Sequence, residues 1–96
     1  MRLVLHPAAL DELVEAAGFY EAQAAGLGLD FLQEVERILR LLEDNPEIAP
    51  VFDAPYRRYL CRRFPFAVVY RIVEEEVRAL AVMHQRRRPG YWKPRG

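Results

Sequence analysis

The feature that most constrains this chain is a change of period half-way along it. As far as Asp44 the apolar residues recur every three or four positions; from Tyr56 onward they come in short β-branched and aromatic runs. Pro46, Pro50 and Pro55 separate the two regimes. A helical period cannot present one face as a strand, and a strand period cannot do so as a helix, so the chain must place helices first and a sheet after them. That order predicts an α+β fold with its helices on one side of the sheet.

Leu3-Val4-Leu5 reads as a short strand ended by His6-Pro7, because proline suits the first turn of a helix, where its missing N–H would have had no partner. Leu10, Leu13, Val14, Ala17, Tyr20 and Ala24 then step as an amphipathic helix, with Asp11, Glu12 and Glu15 near its positive end. Gly26 is expected to cap it. The period resumes in Phe31, Val35, Ile38, Leu39 and Leu42 and stops at Asn45-Pro46, since proline drives the preceding residue out of helical geometry. Residues 7–44 are thus an antiparallel helical hairpin. Residues 46–55 read as an extended connection.

Residues 56–63, 66–73 and 77–84 are of strand length, with turn signals at Phe64-Pro65 and Glu74-Glu75-Glu76. Links this short demand antiparallel pairing. In the middle strand Val68, Tyr70 and Ile72 share the face expected to meet the helices, and Ala67, Val69, Arg71 and Val73 share the other. The expectation is one domain over residues 1–96, in the order β-α-α-β-β-β, with an antiparallel sheet packed against the helical hairpin. Residues 85–96 form a basic tail.

The formal net charge is +0, but it is a cancellation. Residues 1–55 carry three bases against eleven acids, a net of −8, and residues 56–96 carry eleven bases against three acids, a net of +8. Such asymmetry suggests a charged partner for the basic half. With 52% hydrophobic residues the chain is too apolar for disorder. Its single cysteine, Cys61, excludes an intramolecular disulfide and points to a reducing compartment. Cys61 has no partner at metal-ligand spacing, so no metal and no cofactor are expected. The N-terminal apolar run of three residues is too short for a signal peptide, and no stretch is long enough for a membrane span. A cytoplasmic protein without a membrane partner is expected.

His6-Pro7-Ala8-Ala9 with Leu13, Gly28-Leu29-Asp30-Phe31-Leu32, Arg63-Phe64-Pro65-Phe66 before Val69-Tyr70-Arg71, and Val82-Met83-His84-Gln85-Arg86-Arg87 stand in a specific order. Together they resemble the RelE/ParE toxins of bacterial type II toxin–antitoxin modules, over nearly the whole chain. The resemblance implies a growth-inhibiting toxin masked by a cognate antitoxin in a heteromeric complex. RelE-like members cleave mRNA on the ribosome, and ParE-like members poison DNA gyrase without nuclease activity.

Cleavage by 2′-OH attack needs a base, an acid and cations for the phosphorane. Candidates for these roles are His84, Arg63, Arg87 and Tyr91. Arg57, Arg58, Arg62, Arg63, Arg71, Arg86, Arg87, Arg88 and Trp92 are candidates for target or antitoxin binding, although a tail aromatic such as Trp92 is more often a packing anchor that pins the terminus to the sheet. Against a nuclease, RelE-like members that this sequence resembles carry an arginine at the position of Ala67, and a methyl group cannot hold phosphate. Arg71 lies four residues on, about 13 Å away along a strand. The long hairpin also resembles the ParE branch, so a non-nuclease toxin is the expected reading and the ribosome-dependent endoribonuclease its rival. A third possibility is a non-toxic binding protein that acts only with its antitoxin.

Overall fold

In the computed structural model, which describes residues 1–96, β1 (Arg2–Leu5) leads directly into α1 (Pro7–Gln23), followed by α2 (Leu27–Asp44). Four further strands complete the sheet: β2 (Val51–Asp53), β3 (Tyr56–Leu60), β4 (Phe66–Val73) and β5 (Glu76–His84). A 3₁₀ turn, Lys93–Arg95, lies in the tail. Pro7 opens α1 as expected, and His6 caps it, its Nδ1 accepting from the Ala8 N–H at 3.0 Å. Gly26 departs from expectation. α1 ends earlier, at Ala24 in an extended conformation, and Gly26 sits at φ +86° as the residue before α2. Without a side chain it cannot cap α2, and Glu21 does so from the previous helix, accepting from the Gly26 and Gly28 N–H groups at about 3.0 Å. Gly28 must be glycine for a different reason: a Cβ there would lie 2.5 Å from the Ala17 carbonyl oxygen.

The sheet order is β1-β5-β4-β3-β2. β3, β4 and β5 form the expected antiparallel meander. The sheet as a whole is mixed, which corrects the antiparallel expectation: β1 pairs parallel with β5, where Leu3 and Leu5 join the helix-side core. The connection 46–55 contains β2, which pairs with β3 and makes β3 an internal strand. Three residues between Pro50 and Pro55 are too few to show a period. β3 stops at Leu60, so Arg62 and Arg63 lie in a turn rather than alternating along a strand. Pro65 has no N–H to extend the ladder, and Glu34 of α2 accepts from the Arg62 and Arg63 N–H groups.

One irregularity positions the later residues. Val69 pairs with Ala81 but Tyr70 pairs with Ala79, so Leu80 is an extra residue in β5. Leu80 and Ala81 consequently both pack on the face away from the helices, and Val82 returns to the helix side. Parity beyond the bulge is inverted, which turns His84 toward α1.

The main core lies between the hairpin and the sheet. Leu13, Ala16, Ala17, Phe31, Val35, Ile38 and Leu42 meet Val68, Tyr70, Val77, Ala79 and Val82. The middle strand thus divides as its alternation requires. Leu10 and Val14 do not follow the expected stripe; they are 47% and 61% exposed. The small residues Ala9, Ala16 and Ala17 let α1 approach its neighbours closely, and this centres its buried arc beside the larger aliphatics rather than on them. On the other face Tyr56, Ala67, Val69, Leu80, Ala81 and Met83 form a second layer closed by Trp92, which is 1% exposed.

Candidate functional site

Because β3, β4 and β5 alternate in direction, the turn 61–65 and the segment following His84 fall at one end of the sheet. The Gln85 N–H donates to the Pro65 carbonyl at 2.8 Å and joins them. Arg62, Arg63, Arg86, Arg87 and Arg88 are therefore gathered there, all exposed. Arg57, Arg58 and Arg71 are not part of that group. Arg57 donates to the Ala49 carbonyl at 2.7 Å, Arg58 stacks over Phe52 with 4.6 Å to the ring centroid, and Arg71 donates to the Gly96 carbonyl at 2.9 Å.

Much of the opposite charge in the two halves of the chain is consumed internally. Arg63 pairs with Asp30 at 3.4 Å, Lys93 with Asp53 at 2.9 Å, and Arg87 and Arg95 with Glu12 at 3.8 and 2.9 Å. In the basic half Arg57 and Arg71 bond backbone carbonyls instead, and Arg58, Arg62, Arg86 and Arg88 are left with neither a carboxylate nor a carbonyl partner. Exposed pairs such as Arg63–Asp30 contribute at most about 1 kcal/mol. The Glu12 cluster is of another kind. Its carboxylate accepts from Arg95 at 2.9 and 3.2 Å and from the Val82 N–H at 3.0 Å, and only 15% of the side chain is exposed. Arg95 also donates to the Leu80 carbonyl at 3.0 Å. One carboxylate of α1 thus fastens both the edge of β5 and the C-terminal tail.

Tyr91 lies between the guanidinium groups of Arg87 and Arg95, 4.0 and 5.0 Å from its centroid. Its buried hydroxyl has no hydrogen bond of good geometry. Burial, and after it the Glu12 carboxylate, push its pKa up, so the phenol stays protonated. Trp92 packs edge-on against Tyr56 and Tyr91 and against Phe52, the anchor role rather than an exposed binding residue.

His84 stands with its ring edge to Phe66, centroids 5.1 Å apart, and its Nδ1 accepts from the Arg86 N–H at 3.0 Å. With Arg87 it lines a pocket of about 360 Å³ between α1 and the end of β5, whose other walls are Glu12, Glu15, Ala16, Phe19, Tyr20, Phe66 and Val82. Arg63 and Tyr91 are not among its lining residues. Burial, followed by the charge of Glu34, pushes the Cys61 thiol up to about 12, which makes it a poor nucleophile. No three His, Cys, Asp or Glu side chains converge as a metal site.

The fold and this end of the sheet can be set beside known proteins. The family model for ParE toxins of type II toxin–antitoxin systems, parDE, matches residues 3–89. The chain belongs to the ParE toxin family. Among solved structures the chromosomal ParDE toxin–antitoxin system from P. aeruginosa superposes on this ParE-family chain with a TM-score of 0.65 and 18% identity, covering 88% of this chain and 95% of that one. At that identity the likeness is one of fold. No curated protein matches the sequence.

For this ParE-family chain the centre of the sheet face opposite the helices is covered by the tail layer, while Arg58 and Leu60 of β3 stay exposed beside it. Ala67 on that face is 0% exposed beneath the tail layer, and Arg71 is occupied by Gly96. Sequence reasoning missed the two residues with the best-formed polar contacts, Glu12 and Arg95. Glu12 reads as an ordinary acid near the start of α1, and nothing local links it to a residue 83 positions away.

Proposed function

We propose that this ParE-family chain is the toxin of a type II module that arrests growth by binding DNA gyrase, without cutting RNA, and that a cognate antitoxin neutralises it. Family membership supports the toxin role, and gyrase is the target implied by the ParE branch of the resemblance. The observation that carries the non-nuclease reading is the covered centre of the far face of the sheet, around Ala67. Ala67 cannot hold phosphate, Trp92 and its neighbours cover it, and Arg71 on the same face is held by the Gly96 carbonyl. The remaining pocket with a histidine has Glu12 and Glu15 in its wall, and their charge opposes a phosphodiester.

The rival nuclease is favoured by one arrangement, the shared pocket of His84 and Arg87. Purified protein separates the two readings. Added to gyrase and relaxed plasmid, it should block supercoiling or accumulate cleaved DNA. Unimpaired supercoiling together with ribosome-dependent mRNA cleavage that His84→Ala abolishes would replace this reading with the endoribonuclease.

A further inference from the structure

At the other edge of the sheet β2 pairs with β3 only at Tyr56 and Arg57, and it begins only after Pro50. The edge of β3 at Tyr59 and Leu60 therefore has no strand beside it. The Cys61 N–H donates to the Phe66 carbonyl, on the β4 side, so by alternation the N–H and carbonyl of Leu60 point the other way, past the end of β2. Beside that edge lies a hollow of about 380 Å³ whose apolar lining includes Ile48, Pro50, Tyr59 and Leu60, with Arg58 and Arg62 at its border. Ile48 and Leu60 are 39% and 49% exposed.

Its charge sets this hollow apart. Glu or Asp lines three of the other four hollows of the surface, and in the fourth Arg78 and Arg95 are paired with Glu76 and Glu12. No carboxylate lines this one, and its two guanidinium groups are unpaired. Arg62 stands between it and the polar hollow of Asp30 and Glu34. An apolar lining between two free cations fits a short segment of aliphatic side chains flanked by acids, its backbone meeting Leu60 and its carboxylates Arg58 and Arg62. A second copy of this chain is disfavoured, because a two-fold axis would set the same cations against each other. Nucleic acid is disfavoured as well. Phe52 already has Arg58 and Trp92 against its ring, at 4.6 and 5.4 Å, and Tyr59 packs on the main core, so no free ring is left for a base to stack on. Two cations are also few for a phosphate backbone, which binds through many.

We propose that this hollow, at the β2–β3 edge of the sheet, is the target-facing site of the toxin, and that it takes an acidic segment with aliphatic side chains on the target protein. The proposal rests on the gyrase reading above and adds to it where contact is made and through what chemistry. Ile48 and Leu60 are the apolar anchors, and Arg58 and Arg62 fix the sign of the partner. Arg58 is held over Phe52 before any partner arrives, which lowers the cost of ordering a long side chain on binding.

The test titrates the full chain against purified gyrase by calorimetry, without and with relaxed plasmid, and measures inhibition of supercoiling in parallel. Leu60→Asp and Arg58→Glu should each weaken binding and inhibition about tenfold or more, the scale of losing an anchor or reversing a contact charge. Leu29→Asp, 57% exposed on α2, and Arg40→Glu, the same charge reversal on that helix, should stay within a factor of about three. Melting curves and affinity for the antitoxin report that each variant is folded, and Ile48→Asp repeats the test if Leu60→Asp does not fold. Undiminished inhibition by Leu60→Asp and Arg58→Glu, or an equal loss in Leu29→Asp and Arg40→Glu, overturns the site while leaving the gyrase reading intact. No inhibition by the unsubstituted chain overturns both. Binding that appears only with DNA present and is lost in Arg58→Glu reassigns the hollow to nucleic acid, and losses confined to antitoxin affinity reassign it to the antitoxin; either result overturns the proposal.

Discussion

Replacing Glu12 with alanine removes the most concentrated set of polar contacts in the molecule. The substitution deletes two hydrogen bonds from Arg95 and one from the Val82 N–H, and leaves a guanidinium that is only 18% exposed without its partner. Hydrogen bonds to a charged group contribute about 1.5–3 kcal/mol net, and an orphaned buried donor costs about 1–3 kcal/mol. The contacts share one carboxylate and do not add, so the expected loss is about 3 kcal/mol, within a total stability of about 5–14 kcal/mol for a chain of this length. Glu12→Gln keeps one acceptor oxygen, for the Val82 N–H and Arg95 Nη1, and loses the charge and the second acceptor that receives from Arg95 Nη2; about 1.5 kcal/mol is expected. At about 4–8 °C per kcal/mol, the alanine variant should melt roughly 12–24 °C lower. Circular dichroism measures the melt, and Trp92, the only tryptophan, reports the tail independently. Its emission should shift to the red in Glu12→Ala well before the helices unfold. A double-mutant cycle of Glu12→Ala with Arg95→Ala should return a coupling above about 1 kcal/mol. A loss below about 1 kcal/mol, or additive single effects, would refute the assignment of Glu12 as the fastener of both edge and tail.

Other expectations follow from single contacts. Gly28→Ala would press a Cβ against the Ala17 carbonyl oxygen, so the helices must part, at a cost of about 2 kcal/mol or more read from urea unfolding. The Cys61 thiol ionises near 9 when free and at about 12 when folded. Between those values the unfolded chain binds fewer protons, so stability is full below pH 9 and falls as pH rises. At pH 10 the wild type should have lost about 1 kcal/mol more than Cys61→Ala, relative to pH 8. On the non-nuclease reading, His84→Ala should leave growth arrest intact in a plating assay; its loss in a variant with an unchanged melt would restore the enzyme.

The hairpin boundaries, the β3–β4–β5 meander and the division of β4 into two faces were legible because they rest on local periodicity and on short turn-bounded runs, although β3 ends three residues before the run 56–63 does. β2 was not, since three residues between prolines carry no period, and the parallel docking of β1 is a long-range pairing that no local pattern encodes. The bulge at Leu80 has no turn signal, yet it alone brings His84 to the α1 side. The charge asymmetry was read correctly as numbers and incompletely as chemistry. Asp30, Glu34 and Glu12 of the acidic hairpin hold parts of the basic half, so fewer cations are free for a partner than the count of +8 suggests. Arg58, Arg62, Arg86 and Arg88 remain, and three of these stand at one end of the sheet.

The central claim is that the chain stops growth through DNA gyrase and not through messenger RNA. The most direct measurement is its induction without antitoxin in cells carrying an SOS reporter, with primer extension on abundant transcripts from the same culture. The account predicts arrest with reporter induction and intact transcripts, both reversed by co-expression of the antitoxin. Arrest with a silent reporter and transcripts cut at ribosome-bound codons would contradict it.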